Sequence, residues 1–392
     1  MKNIYPFKGR LSIAVTLVLF AIIAVNSSHQ GKNTPDIKNS SGSSIKVATD
    51  VVPISGKQLY MDACANCHGV GGKGASNRQL GLQTLPPDFT DCTFASREPD
   101  GDWIDVAHQG GPTRGFSNEM PAFGDALTEN ELKKILDHIR TFCRDDRWPR
   151  GELNLPRPLV TEKAYPEDEA VLTTSFDIQN EGSVFNEIVY ERRFGALNQL
   201  EIVFPFGYSE LSNGNWTGGH LGDMAVGVKR ILHHSLNSGS IVSLTGEVIL
   251  PTGDEVLGFG KGTTVLEPFV TYGQILPYNG FLHFQSGLEY PLLRDKANDE
   301  TFWRIAVGKS FNPKPRGRTW SPMVEVLGSR ELVSGAVNHW DIAPQMQVTL
   351  NTRQHIMLNV GLRIPADDSD RDPQFMFYIL WDWFDGGLFE GW

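Results

Sequence analysis

The chain has 392 residues and a formal net charge of −11, long enough for two domains and too acidic to favour a nucleic-acid partner. Four cysteines are too few for a disulfide scaffold, and the mildly polar composition hides no bundle of membrane helices. Function must therefore be read from local motifs and from periodicity.

Lys2, Lys8 and Arg10 precede an apolar run, LSIAVTLVLFAIIAV at 11–25. That run has signal-peptide length and is short for a spanning helix of about 20 residues. Residues 1–26 read as an export signal. An uncleaved inner-membrane anchor is the alternative, because no clean small-x-small site follows. Either way the rest of the chain leaves the cytoplasm. Ser-, Asn- and Lys-rich residues 27–52 read as a flexible tether, and 53–147 as a compact domain.

Within that domain Cys64, Cys67 and His68 spell C-x-x-C-H, the spacing of covalent haem c attachment. One helical turn presents two thiols to two vinyl groups, and the adjacent imidazole turns to the iron. A redox dithiol would need a surrounding βαβ pattern, and a four-cysteine zinc site a second C-x-x-C; neither is present. Met120, in a loop just before Pro121, is the candidate sixth ligand, and a thioether there raises the reduction potential and suits electron transfer. His108 is its competitor, but AHQGGP reads as a helix end. Met61 is too close to the attachment site to reach around. Farther on, Thr128 and Glu131 form a capping-box pattern ahead of an apolar stripe, Leu132, Ile135, Leu136 and Ile139. The Gly-rich run GVGGKG lacks phosphate-loop spacing and reads as the turn after the haem helix.

GKQLYMDACANCHGVGGKG together with MPAFGDALTENELKKILDHIRTF resembles a class I cytochrome c. The resemblance implies one haem held by Cys64 and Cys67, with His68 and Met120 as axial ligands. It also implies an N-terminal helix, marked by Gly56 and Tyr60, that crosses the C-terminal helix. Trp103 and Phe123 would be pocket wall. Cys92 and Cys143 remain, either as a disulfide, which an oxidising compartment permits, or as two small buried thiols.

Residues 148–170 carry Pro149, Pro156, Pro158 and Pro166 and read as a stiff extended linker rather than a packed element. From 171 to 392 the pattern alternates with period two. Ile356, Leu358, Val360, Leu362 and Ile364 oppose His355, Asn359 and Arg363. Twelve segments are expected, near 171–178, 183–191, 197–206, 222–234, 240–250, 263–274, 280–290, 300–311, 319–329, 336–347, 354–364 and 374–384. Most are about ten residues, the length of a tilted transmembrane strand. Trp303, Trp320, Trp340 and Trp383 stand at strand ends like an interfacial girdle, and the chain finishes on Trp392. Glu201, Lys229, Glu247, Glu267, Arg304 and Arg363 fall on the polar face. An antiparallel up-and-down outer-membrane β-barrel is expected, with a soluble sandwich as the alternative. The segment pattern is similar to outer-membrane proteins associated with aromatic-compound degradation. His233 and His234, and the stretch ADDSDRDP at 366–373, read as solvated loops.

The expected molecule is therefore multidomain: a small all-α class I cytochrome c domain followed by an all-β membrane barrel. The pairing resembles monohaem cytochrome–porin fusions. That resemblance implies an electron carrier, not an enzyme, passing single electrons between periplasmic redox proteins and an outside donor or acceptor such as iron. Outer-membrane lipid would surround the barrel, with the cytochrome beneath or within it. A solute porin with a tethered cytochrome, and a haem enzyme with an open iron, are the alternatives.

Overall fold

The structure is a computed structural model that describes residues 54–76, 80–178, 182–210, 213–217, 219–313, 317–367 and 371–383. The expected export signal, the tether and Trp392 lie outside the described residues.

The first part is helical: α1 (Gly56–Ala63), α2 (Ala65–His68), α3 (Cys92–Ala95), α4 (Asp100–Gln109) and α5 (Glu129–Arg140). Ser55 caps α1 by accepting from the Gln58 N–H. Thr128 and Glu131 form the expected capping box on α5, which buries Leu132, Ile135, Leu136 and Ile139. Helices α1 and α5 cross at Gly56, where a Cβ would collide with the Lys134 carbonyl oxygen. Tyr60 is fully buried under the crossing, edge-on to Phe142 at 5.3 Å, and donates to the Gly69 carbonyl at 2.6 Å. Cys92 and Cys143 form a disulfide. A crosslink across a sequence separation of 51 removes chain entropy worth about 4 kcal/mol from the unfolded state.

The second part is a sheet closed on itself. Its strands are β1 (Asp168–Asp177), β2 (Ser183–Phe194), β3 (Asn198–Ser209), β4 (His220–Leu221), β5 (Ala225–Ser235), β6 (Ser240–Ile249), β7 (Val265–Leu276), β8 (Gly280–Pro291), β9 (Glu300–Lys309), β10 (Trp320–Glu331), β11 (His339–Thr349), β12 (Ile356–Pro365) and β13 (Gln374–Asp382). Among the described residues, twelve long antiparallel strands pair in chain order and β13 returns to β1, leaving β4 as a two-residue spur on β3. Closure leaves the barrel no free edge, the condition for backbone in hydrocarbon. His233 and His234 are part of β5 next to a bulge, paired with Val242 and Ile241. The solvated-loop expectation is corrected there: the two histidines continue the strand expected over 222–234, past a bulge that breaks its alternation.

The two faces differ sharply. Leu172, Ile188, Phe204, Val228, Ile305 and Ile379 are exposed on the outside. Glu191, Glu201, Lys229, Gln285, Glu325 and Asn359 are buried on the inside. An apolar outer face around a charged interior is stable only with lipid outside. Trp303 and Trp340 meet at 5.4 Å near one rim, and Trp320 opens β10 at the other. That second rim carries the short connections 195–197, 236–239 and 277–279, whereas the first carries 210–224 and 250–264.

Residues 148–170 correct the sequence expectation. They are not a spacer. Leu153, Leu155, Arg157, Leu159, Thr161, Lys163 and Tyr165 are buried as the segment enters the barrel from the short-turn rim and returns there to begin β1. Glu325 accepts from the Leu159, Val160 and Thr161 N–H groups at 2.9, 3.1 and 2.7 Å. Gln285 accepts from Glu162 at 3.1 Å and Gln199 from Glu167 at 2.7 Å. Arg157 bridges Glu169 and Glu191 at 2.9 and 3.0 Å, and Lys163 is ion-paired to Glu167 and Glu169. Extended backbone cannot satisfy its own N–H groups. Pro156 and Pro158 remove two donors, and lumen side chains accept from those of Leu159, Val160, Thr161, Glu162 and Glu167. The segment is a plug.

Candidate functional site

The site grows from the junction of α1 and α2. Cys64 ends α1, its N–H donating to the Tyr60 carbonyl at 2.9 Å, and the His68 N–H donates to the Cys64 carbonyl at 2.9 Å. This single turn carries both thiols and the imidazole. It stops at Gly69, whose φ of 73° lies in the left-handed region that glycine occupies without strain. Cys64 and Cys67 are not joined in a disulfide.

His68 stacks on Phe89, centroids 4.7 Å apart, and Phe89 leans on Trp103 at 5.3 Å. Burial pushes the His68 imidazole down to about 4, so the ring is neutral at physiological pH and offers a lone pair. Its Nδ1 is buried with no hydrogen-bond partner. Burial, with Cys67 adding to it, pushes the Cys64 thiol up to about 11.

Met120 comes from the strap that follows α4. The Met120 carbonyl accepts from the Gly111 N–H at 3.0 Å, and its own N–H donates to the Ser117 carbonyl at 3.3 Å. A Cβ on Gly111 would collide with that same Ser117 oxygen, so glycine lets the strap lie flat. Cys64, Cys67, His68 and Met120 all line one cavity of about 380 Å³. Phe89, Trp103, Phe123, Ile135 and Leu136 form its apolar walls.

The four sequence-derived residues are thus brought together, and Trp103 and Phe123 take the wall positions expected of them. His108 closes α4 and is not among the lining residues; its ring fills the space beside Gly124. Met61 packs on the helical core. The residues that sequence reasoning missed are Arg114, Arg353 and His355, which also line the cavity. The last two come from the barrel turn 350–355. Arg353 donates to the Gly115 carbonyl, 238 positions away, at 3.2 Å, a separation no local motif signals.

The lining suits a haem. It is apolar, with two thiols on one turn and one nitrogen and one thioether donor. A small metal centre fits less well. Among the described residues, the side chains close enough to share an ion are Glu162, Glu201 and Glu247, and Glu167, Glu169 and Asp382. Both groups are in the barrel, and the C-x-x-C-H residues are in neither.

Residues 53–139 match the family described as cytochrome c oxidase, cbb3-type, subunit III. A search of curated proteins finds no match. Among solved structures, the chain is similar to an outer membrane channel from Pseudomonas putida F1, with 11% identity, 58% of this chain and 99% of that one covered, and a TM-score of 0.41. It is also similar to the NanC porin, with 8% identity, 54% and 98% coverage, and a TM-score of 0.39. At such distances the barrel assignment rests on its own strand register. The chain joins a cytochrome c domain to a closed twelve-stranded barrel.

Proposed function

We propose that this protein is an outer-membrane electron carrier whose cytochrome domain holds one covalent haem c and passes single electrons. Cys64 and Cys67 would hold the haem through thioethers, and His68 and Met120 would supply the nitrogen and thioether donors to its iron. When bound, the group would supply a one-electron ferric/ferrous couple. The chain's own residues fix the conditions for it. Helix α2 orients the imidazole, the Gly111 contact holds the Met120 strap, and Phe89 and Trp103 keep water from the pocket. No residue is assigned a catalytic role.

The observation that carries this reading is the convergence of both thiols, the imidazole and the thioether, all from the matched domain, on one largely apolar cavity. In outer-membrane barrels the short turns face the periplasm. The cytochrome lies against the short-turn rim, where Gly151 donates to the Ser96 carbonyl at 2.7 Å and Arg97 is ion-paired with Asp168 of β1. This orientation supports periplasmic redox proteins as partners on one side. On the other, the proposed partner is an outside donor or acceptor such as iron. A solute-importing barrel with a tethered cytochrome is less well supported, because the plug occupies the lumen.

Substitution of Met120 by Ala tests the reading. The variant is expected to keep its covalent haem, lose the six-coordinate spectrum and titrate at a lower midpoint potential. A spectrum and potential identical to wild type would remove Met120 from the site.

A further inference from the structure

We infer that the haem site is completed by the barrel, with Arg353 on the β11–β12 turn positioning the carboxylate-bearing edge of the cofactor. The inference rests on the haem reading above and goes beyond it, because it makes the cytochrome pocket a composite of both domains.

Three consecutive residues of that turn grip three parts of the cytochrome domain. The Arg353 guanidinium lies 4.5 Å over the Phe116 ring and donates to the Gly115 carbonyl at 3.2 Å. The Gln354 amide, with its oxygen toward Arg114, accepts from that guanidinium at 2.8 and 3.0 Å and donates to Thr319 at 2.8 Å. His355 Nε2 lies 3.0 Å from Glu98. Gln354 has a φ of 63°, a left-handed conformation that is strained for a non-glycine residue and persists only where its surroundings hold it. The turn is therefore fixed by its contacts with the pocket, and two of its side chains form pocket lining.

Charge explains what the turn contributes. A haem's propionates are anions, and anions leaving water need charge-assisted partners. The polar sector of the cavity also contains Glu98, Asp102 and Glu119, which repel them. Arg114 is bridged to Asp102 and Asp105 at 2.7 and 2.6 Å, so its charge is largely balanced within the domain. Arg353 brings a second guanidinium to the same cavity from the barrel. A planar fork of donors matches a carboxylate. A positive charge beside the haem also favours the ferrous state over the ferric.

Spectroelectrochemical titration of the full-length protein in detergent tests this with Arg353→Gln and Arg353→Lys. The Gln variant is expected to retain wild-type haem content and axial-ligand spectrum while its midpoint potential falls. The Lys variant, which keeps the charge, is expected to recover most of the loss. A Gln variant at the wild-type potential with native ligation would overturn the inference. So would an equal fall in both variants, since that marks a structural role alone. A wild-type protein without covalent haem would instead overturn the functional reading beneath it.

Discussion

Tyr60 shows how one side chain ties helix packing to the haem motif. It is fully buried beneath the α1–α5 crossing, and its hydroxyl holds the Gly69 carbonyl that ends the haem turn. Burial pushes its hydroxyl up to about 12 from 10. A raised folded-state value means that the stability it contributes is intact below pH 10 and is lost as pH climbs through about 12. Tyr60→Phe should therefore cost about 1 kcal/mol at neutral pH, from the orphaned carbonyl. It should also flatten the loss of stability between pH 10 and 12. Thermal melts of both proteins across that range check this, and equally steep alkaline losses would contradict it. The C-x-x-C-H residues and Met120 were legible in the sequence because their chemistry depends on spacing along a single turn or on a loop next to proline, whereas Tyr60 entered only through the family resemblance, as a mark of the N-terminal helix. Arg114, Arg353 and His355 were not, because their meaning comes from contacts made across the fold.

At the scale of elements, helix caps and strand alternation carried most of the information. The capping box on α5 and the twelve long strands fall where period and capping rules place them, since each depends on residues a few positions apart. The plug did not. Its prolines report extended chain, which a linker and a lumen-filling segment share. The distinguishing signal was the burial of every second residue, Leu153, Leu155, Arg157, Leu159, Thr161 and Lys163, with two cations in that series. Only the partner strands reveal why these are tolerated. Glu325 serves as acceptor for three plug N–H groups and the Thr161 hydroxyl. Glu325→Ala would leave the Val160 N–H, the Thr161 N–H and the Thr161 hydroxyl unpaired at about 1–3 kcal/mol each, whereas the Leu159 N–H keeps Gln345 at 2.9 Å, and the change should release the plug. In planar bilayers the wild type is expected to stay near baseline, whereas the variant shows discrete current steps. A wild type that conducts as freely as the variant would show that the segment does not seal the barrel.

The whole molecule joins two parts with opposite solvents. The helical part buries an apolar cavity in water, and the barrel exposes apolar side chains to lipid while enclosing its charges. The parts meet at the short-turn rim through the plug, the Arg97–Asp168 ion pair and the turn at Arg353. This places the haem pocket at a membrane face and gives the cytochrome little freedom to act as a separate tethered carrier. Under this reading a covalently haem-bearing domain is anchored by a lipid-embedded barrel. Cell fractionation followed by haem staining of a denaturing gel tests it most directly, comparing wild type with a Cys64→Ala, Cys67→Ala double variant. The account predicts a haem-positive band in the outer-membrane fraction that is released only by detergent and is absent in the variant. A colourless wild-type band, or a haem-positive one that is soluble without detergent, would contradict it.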